Sequence, residues 1–463
     1  MSRNPLIIGA GPAGLTAALE LTRAGVSPRI HEATGNLGGL ARTPRSGAWR
    51  VDPGGHRFFT KDNEVAALWN ALLPDDQWIS VRRKSAMLIN GQYVQYPLVG
   101  RDLLTQFGFR SGLVGLGSLL WQRARRKMRP VDKPDSFRDW GAHEFGDYWY
   151  TLFFDGYVRK TWLTDPHDIA SNWADQRIRP ITWRRPRRAE PAAQDTFRYP
   201  LLGPGQLWEA AGAASVDAGA ELSLNSRVVG VRADGDGWTV ELHNGETTSA
   251  DAVFSSMPLR SLLEILDPEP PQKIRVAAAA LKHRALITVA VALRNHLDIP
   301  FNWVYTPEKG FRVGRVQNYG RWSAALAPPH WDGTYLGLEY FTLPGDDLWV
   351  MLDKSLGTVV EQDLLALGIE DAEVEHVSVV RSQFAYPMYN PEREDNVTVI
   401  RDYLRRRHPT LHPIGRNGMH RYDNQDHAML SAMHSVARYF GEDVDPWKVN
   451  TDRRYHESGV VDR

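Results

Sequence analysis

The chain has 463 residues, 42% hydrophobic and 24% charged, with 55 Lys and Arg against 55 Asp and Glu and no cysteine. That length fits two or three lobes, and the balanced charge argues against a nucleic-acid binder driven by excess basic groups. Without cysteine there is no disulfide scaffold, thiolate catalysis or Cys-ligated metal, so any redox chemistry must come from a bound cofactor, and no metal site is expected.

The start Pro5-Leu6-Ile7-Ile8 runs straight into glycines without a basic lead or cleavage site, so it does not read as a signal peptide. No stretch reaches the ~18 apolar residues of a membrane span. A cytoplasmic location is expected, without a membrane or nucleic-acid partner. Leu6 to Ile8 reads as a buried strand, Gly14 to Ala24 as a helix with Leu15, Ala18, Leu19 and Thr22 at helical spacing, and Pro28 to His31 as a second parallel strand. From Leu103 to Trp140 the pattern is helical. Its apolar run Leu113 to Trp121 is followed by Arg123, Arg125, Arg126, Lys127 and Arg129, which reads as a solvated helix face or linker. Trp183 to Pro200 reads as a loop. Arg227 to Val231, Trp238 to Leu242 and Ala252 to Phe254 read as strands, with turns at Asp236-Gly237 and Asn244-Gly245, and 283–345 is rich in strand formers.

Gly9-Ala10-Gly11-Pro12-Ala13-Gly14 lies between a strand and a helix, where glycine lets the backbone turn tightly and approach a pyrophosphate at a helix N-terminus. Glu32 ends the next strand, placed to accept hydrogen bonds from a ribose. The following Gly35-Asn36-Leu37-Gly38-Gly39-Leu40-Ala41-Arg42-Thr43 adds a second glycine pair beyond the ribose, which favours FAD over NAD. Near the C-terminus Gly415-Arg416-Asn417-Gly418 and Tyr422-Asp423-Asn424-Gln425-Asp426 precede a helix with Met429, Leu430, Met433, Val436 and Phe440 on one face. Such a polar cluster can cap free amides, and the positive helix end can stabilise a reduced, anionic flavin.

The run from Glu32 through Gly38-Gly39 to Arg42-Thr43 resembles the FAD-dependent superfamily that includes amine oxidases and protoporphyrinogen oxidase, and most of the chain is similar to its UDP-galactopyranose mutase family, eukaryotic type. The segments that carry this are Asp52-Pro53-Gly54-Gly55-His56-Arg57-Phe58-Phe59, Tyr157 to Trp162, Asn172 to Ile178 with Arg177, Trp303-Val304-Tyr305-Thr306-Pro307-Glu308 with Arg315, Tyr386-Pro387, and Tyr422 with Asn424 to His427. The resemblance implies an α/β (α+β overall) fold. A Rossmann-like FAD-binding domain of the glutathione reductase type would take 1–75, 198–262 and 405–463, with an inserted helical domain over 100–197 and an antiparallel β-sheet substrate domain over 76–99 and 263–404.

It further implies a pyranose–furanose mutase acting on a nucleotide-activated sugar, with the N5 of reduced flavin as nucleophile at the anomeric carbon. His56, Arg177 and Arg315 would be catalytic, and Trp162, Trp303, Tyr305, Tyr386 and Tyr422 would hold the substrate. Gly55 and His56 would lie over the flavin, Val228 would pass the adenine, and Ser255-Ser256-Met257-Pro258 would lead out of the cofactor domain. NADPH would reduce the flavin, touching Arg83, Ser85 and Arg416. Taken singly, the four aromatics Trp303, Tyr305, Tyr386 and Tyr422 also read as half-buried core, and Arg177 and Arg315 as surface ion-pair residues. At the family's uracil-gripping positions the chain departs from the pattern, with Leu98, Val99 and Val158. A net oxidoreductase of the amine oxidase or desaturase type is the alternative function, and the oligomeric state is not legible.

Overall fold

A computed structural model describes residues 3–128, 136–169 and 196–450. Arg177, the rest of 170–195, and the sequence around Arg129, Pro130 and Pro134 lie outside the described residues. The fold is mixed α/β with several sheets. Strand Leu6–Ile8 sits third in a five-stranded parallel sheet ordered Leu411–Pro413, Val253–Ser255, Leu6–Ile8, Arg29–His31 and Glu221–Ser223. Its centre is apolar throughout, as a sheet covered on both faces requires. Helix Pro12–Arg23 packs Leu15, Ala18 and Leu21 on one face beside helix Gln425–Tyr439, whose Met429 and Val436 complete that core with Phe254 and Trp208.

A second, seven-stranded sheet runs in the order Val374–Pro387, His283–Leu293, Thr334–Thr342, Arg315–Asn318, Trp303–Tyr305, Ser85–Ile89 and Gln92–Tyr96. Its pairings are antiparallel except where Trp303–Tyr305 meets Ser85–Ile89 in parallel. A smaller sheet joins Thr247–Ala250, Gly237–Leu242, Val228–Asp234 and Leu266–Asp267. The turn in this sheet is one residue earlier than the sequence suggests: Asp234 pairs with Gly237, and Gly235, at φ 60°, supplies the positive dihedral that a two-residue hairpin needs. The sequence places 263–281 and 393–404 with the substrate sheet. Instead Leu263, Ile274, Leu281, Ile400 and Leu404 pack into one core with Leu6, Ile8 and Val231 of the parallel and smaller sheets.

The helical part holds Gly100–Met128, kinked at Gly108 (φ 78°), then Phe137–Tyr150, kinked at Gly146 (φ 77°), and Gly156–Trp162. Ser136 caps the second of these by accepting from the Asp139 amide at 3.1 Å. Glycine at 115 lets the first two helices meet, since a Cβ there would sit 2.1 Å from the Trp149 indole nitrogen. The strand Thr196–Pro200, in a stretch that reads as loop from sequence, pairs with Trp78–Arg82.

Two core histidines set an acid limit on stability. His283 faces His420 edge-on at 4.7 Å, and His412 stacks on Phe254 at 4.7 Å. Burial holds each imidazole down, to about 4. The unfolded chain therefore binds more protons below pH 6.5, so their stabilising contribution is complete above 6.5 and is lost as the pH falls towards 4. The expected slope is about 1.4 kcal/mol per pH unit for each group. Thermal melts should drop between pH 7 and 5, and His412→Gln should flatten that dependence; an unchanged slope would show that these histidines do not carry it.

Candidate active site

A cleft of about 780 Å³ opens where the parallel sheet meets the long strand Val374–Pro387. Two helix N-termini end at it. Gly11 precedes Pro12–Arg23 and Asn424 precedes Gln425–Tyr439, and neither cap residue closes the helix end with its side chain, so the first amides stay available to an anion. The turn between them is tight: a Cβ on Gly14 would lie 1.9 Å from the Gly9 carbonyl oxygen, and one on Gly39 would lie 3.1 Å from the Gly11 Cα. Glu32 lines the cleft with its carboxylate already steadied by the amides of Ala10 at 2.8 Å and Thr34 at 2.9 Å.

His56 also lines the cleft. Its Nδ1 lies 2.7 Å from Asp52 Oδ1, while Asp52 Oδ2 accepts from the His56 amide at 2.9 Å and the Tyr199 hydroxyl at 3.0 Å. Asp52 is wholly buried, so this carboxylate fixes the Nδ1–H tautomer and leaves Nε2 as the ring nitrogen free to act. Its own carbonyl accepts from Gln317 Nε2 at 3.3 Å, which also donates to Glu339 at 2.8 Å, and Glu339 pairs with Arg315. A buried polar chain thus links the cleft residue His56 to Arg315.

Around Arg315 the side chains change to aromatics and cations. Tyr386 and Tyr422 stack at 5.6 Å and 14°. Three guanidinium groups surround that pair: Arg315 donates to the Tyr386 hydroxyl at 3.4 Å, Arg284 lies 5.1 Å from the Tyr386 ring, and Arg416 lies 4.9 Å from the Tyr422 ring. Arg315 also rests on Trp303 at 4.8 Å, and Arg284 on Trp162 at 4.2 Å. Their charges differ in kind. Glu339 is fully buried; burial raises its carboxyl while Arg315 draws it back, so that pair is largely self-compensated. Arg284 has no carboxylate within ion-pair distance among the described residues and leaves its Nε without a partner, and burial pushes it down to about 10. A buried cation without an anion is costly unless a ligand supplies one.

Sequence comparison decides the class. The profile of flavin containing amine oxidoreductases matches residues 12–401. The chain belongs to this family. It is 27% identical over 172 residues to protoporphyrinogen oxidase 2 of Arabidopsis thaliana, covering 35% of this chain and 33% of that protein. It is likewise 27% identical over 296 residues to AofH of Mycobacterium tuberculosis, described as a flavin-containing monoamine oxidase, covering 59% and 61%. The chain thus spans between a third and three fifths of these relatives. The crystal structure of a reduced UDP-galactopyranose mutase superposes with a TM-score of 0.85 at 21% identity over 98% of both chains, which establishes the shared fold.

Membership of this family makes the protein an FAD-dependent enzyme, and the cleft fits that group. Beyond the open helix ends, the cleft-lining Gln425 Nε2 is buried without a hydrogen-bond partner among the described residues, a donor of the kind a flat heterocycle would satisfy. Of the expected cofactor residues, Gly9, Gly11, Pro12, Ala13, Glu32, Gly39, Leu40, Ala41, Arg42, His56, Val228, Gly415, Arg416, Asn424 and Gln425 line it. Gly14, Gly38, Gly55 and Asp426 stand behind that lining. Gly14 and Gly55 serve packing instead, since a Cβ on Gly55 would strike Trp303 at 2.5 Å. Arg42 spends its guanidinium on the Gly39 and Arg381 carbonyls and the Ser382 hydroxyl, clamping the loop to the long strand.

Among the expected substrate residues, Tyr305 sits between Tyr96 at 5.9 Å and Tyr157 at 5.3 Å, and the indole Nε1 of Trp303 is buried without a partner among the described residues. Ser85 is 2% exposed inside its strand, whereas Arg83 just before it is partly exposed. Sequence inspection missed Asp52 as the partner of His56, Arg284, and the cleft residues Arg381 to Phe384. The one available signal was Arg284 itself, a cation near the head of the largely apolar strand His283–Leu293.

Proposed function

We propose that the protein is an FAD-dependent pyranose–furanose mutase, or a close relative, acting on a nucleotide-activated sugar, of the kind found in the eukaryotic branch of the UDP-galactopyranose mutase family. The observation that carries this is the set of three guanidinium groups around Tyr386 and Tyr422 beside the flavin cleft. A neutral amine or polyene has no use for them, whereas a departing diphosphate does.

Reduced FAD, when bound, would supply the nucleophilic electron pair the reaction needs at the anomeric carbon. The protein's share is positioning and charge. Arg284 and Arg315 take up the charge that develops on the leaving oxygen, the Tyr386 and Tyr422 hydroxyls hydrogen-bond the same phosphates, and Arg177 joins them by its place in the family pattern. Keeping the diphosphate within reach lets the same bond re-form once the sugar has reclosed through another ring oxygen, so no net oxidation occurs. His56, held by Asp52, would present a fixed imidazole to a flavin bound in the cleft. Trp162, Trp303 and Tyr305 pack along the substrate. Leu98 and Val158 are buried in the apolar cluster with Trp162, so the base is held by contact rather than by hydrogen bonds, and uracil should not be selected strongly.

By the same family resemblance we propose NADPH as the reductant, with Arg83, Ser85 and Arg416 as its contacts. Under nitrogen a single dose should support many turnovers, with isomerised sugar nucleotide read by chromatography. Arg83→Ala should slow flavin reduction by NADPH, followed by loss of the oxidised flavin absorbance, while leaving dithionite-started turnover intact. Steady product from the oxidised protein in air, with one acceptor used per product, would instead assign a net oxidoreductase of the amine oxidase or desaturase type.

A further inference from the structure

Helix Gly100–Met128 breaks the rule that the outer face of a surface helix is polar. After the kink at Gly108, its inner side carries Gly112 and Gly115, the latter against Trp149 of the next helix. Its outer side carries Phe109, Leu113, Leu116 and Leu120 in one helical stripe and Val114 and Trp121 in the stripe beside it, all exposed, Phe109 by 74% and Trp121 by 61%. Scattered exposed apolar residues are ordinary; six large ones on a single helix face are an interaction surface. The next turn presents Arg123, Arg125 and Lys127, also exposed, and Arg110 flanks the apolar stripe. There is no Asp or Glu from Leu103 to Val131.

We propose that this face docks the enzyme on an anionic lipid surface, lying in the interface rather than crossing it. No helix among the described residues is long and apolar enough to cross a membrane. A helix with Phe, Leu and Trp on one side and a terminal cluster of Arg and Lys has the composition of an interfacial anchor, its rings entering the acyl boundary while the basic stems reach the head groups. Charge selects this occupant over a second copy of the chain. Pairing two such helices would oppose Arg110, Arg123, Arg125 and Lys127 to a segment that carries no Asp or Glu from Leu103 to Val131, whereas anionic head groups match them directly.

Co-sedimentation of the flavin-loaded protein with phosphatidylcholine vesicles, with and without phosphatidylglycerol, tests this without any substitution. The protein should pellet with the anionic vesicles and be released by raised salt. Arg123→Gln with Arg125→Gln should lower the partition coefficient by roughly 30-fold, two cations near an anionic surface being removed. Phe109→Ser with Trp121→Ser should lower it by roughly tenfold or more. Both pairs are exposed, and flavin absorbance per chain reports that the variants stay folded. Protein that remains in the supernatant with anionic vesicles overturns the proposal. So does equal, salt-insensitive binding to neutral vesicles, or a doubled mass in light scattering that Phe109→Ser with Trp121→Ser abolishes.

Discussion

Arg284→Met is expected to lower kcat/KM by roughly 10²-fold or more, the loss typical of removing one charge-stabilising contact, while flavin content and melting temperature change little. The reason lies in what each arginine leaves behind. Arg284 sits buried on Trp162 with no carboxylate beside it among the described residues, so replacing it by an apolar side chain of similar length removes a desolvated charge and leaves only the Thr161 carbonyl without its donor. Arg315→Met, by contrast, strands the fully buried Glu339, and breaking one side of a buried pair costs about 3–5 kcal/mol of stability. That variant should therefore fail in folding as well as in turnover, and Arg315→Met with Glu339→Gln should recover the fold but not the activity. Melting curves and flavin absorbance recorded beside kcat/KM separate the two effects. Near-normal turnover of the Arg284→Met protein would remove this residue from the substrate site and leave its burial as a packing matter.

The second large effect is expected at the glycine turn. Gly14→Ala should yield a colourless protein, because its Cβ would sit 1.9 Å from the Gly9 oxygen and 3.3 Å from Ile7 Cγ2, both anchored in the first turn and strand. Gly9 already holds φ at 96°, so the turn has no slack to move away. Opening it would pull the first helical amides from the line of the pyrophosphate, and cofactor binding is the first property to go. Gly357→Ala is the matched control. That position lies inside helix Asp353–Ala366, where the added carbon meets no other element among the described residues within 4 Å, so it should keep its colour and gain up to ~1 kcal/mol from the better helix former. Flavin absorbance per chain, with far-UV circular dichroism to confirm folding, reads both. A yellow Gly14→Ala protein would mean that the turn relaxes more easily than its contacts allow.

Much of the cofactor cleft was legible in the amino-acid sequence because it is built from local geometry. A strand, a glycine turn and a helix lie within twenty residues, and Glu32 follows at the end of the next strand, so Gly9 to Gly14 announce an anion site without help from the rest of the chain. His56 carried the same kind of signal through its two preceding glycines. The partner of His56 did not, since Asp52 reads as any acidic residue until Tyr199, Tyr319 and Gln317 close around it from two distant segments.

Arg284 and the stretch Arg381 to Phe384 were invisible for a related reason. They lie on two antiparallel neighbours, with Arg284 opposite Tyr386, and only strand register decides which side chains of a long strand face a cleft. The outer face of Gly100–Met128 shows the opposite limit. Its apolar run and its basic run were both plain in the sequence, but an apolar helix side is core when another element covers it and an interaction surface when none does. Gly115 turned inward against Trp149, and that packing is what left Phe109 and Trp121 facing out.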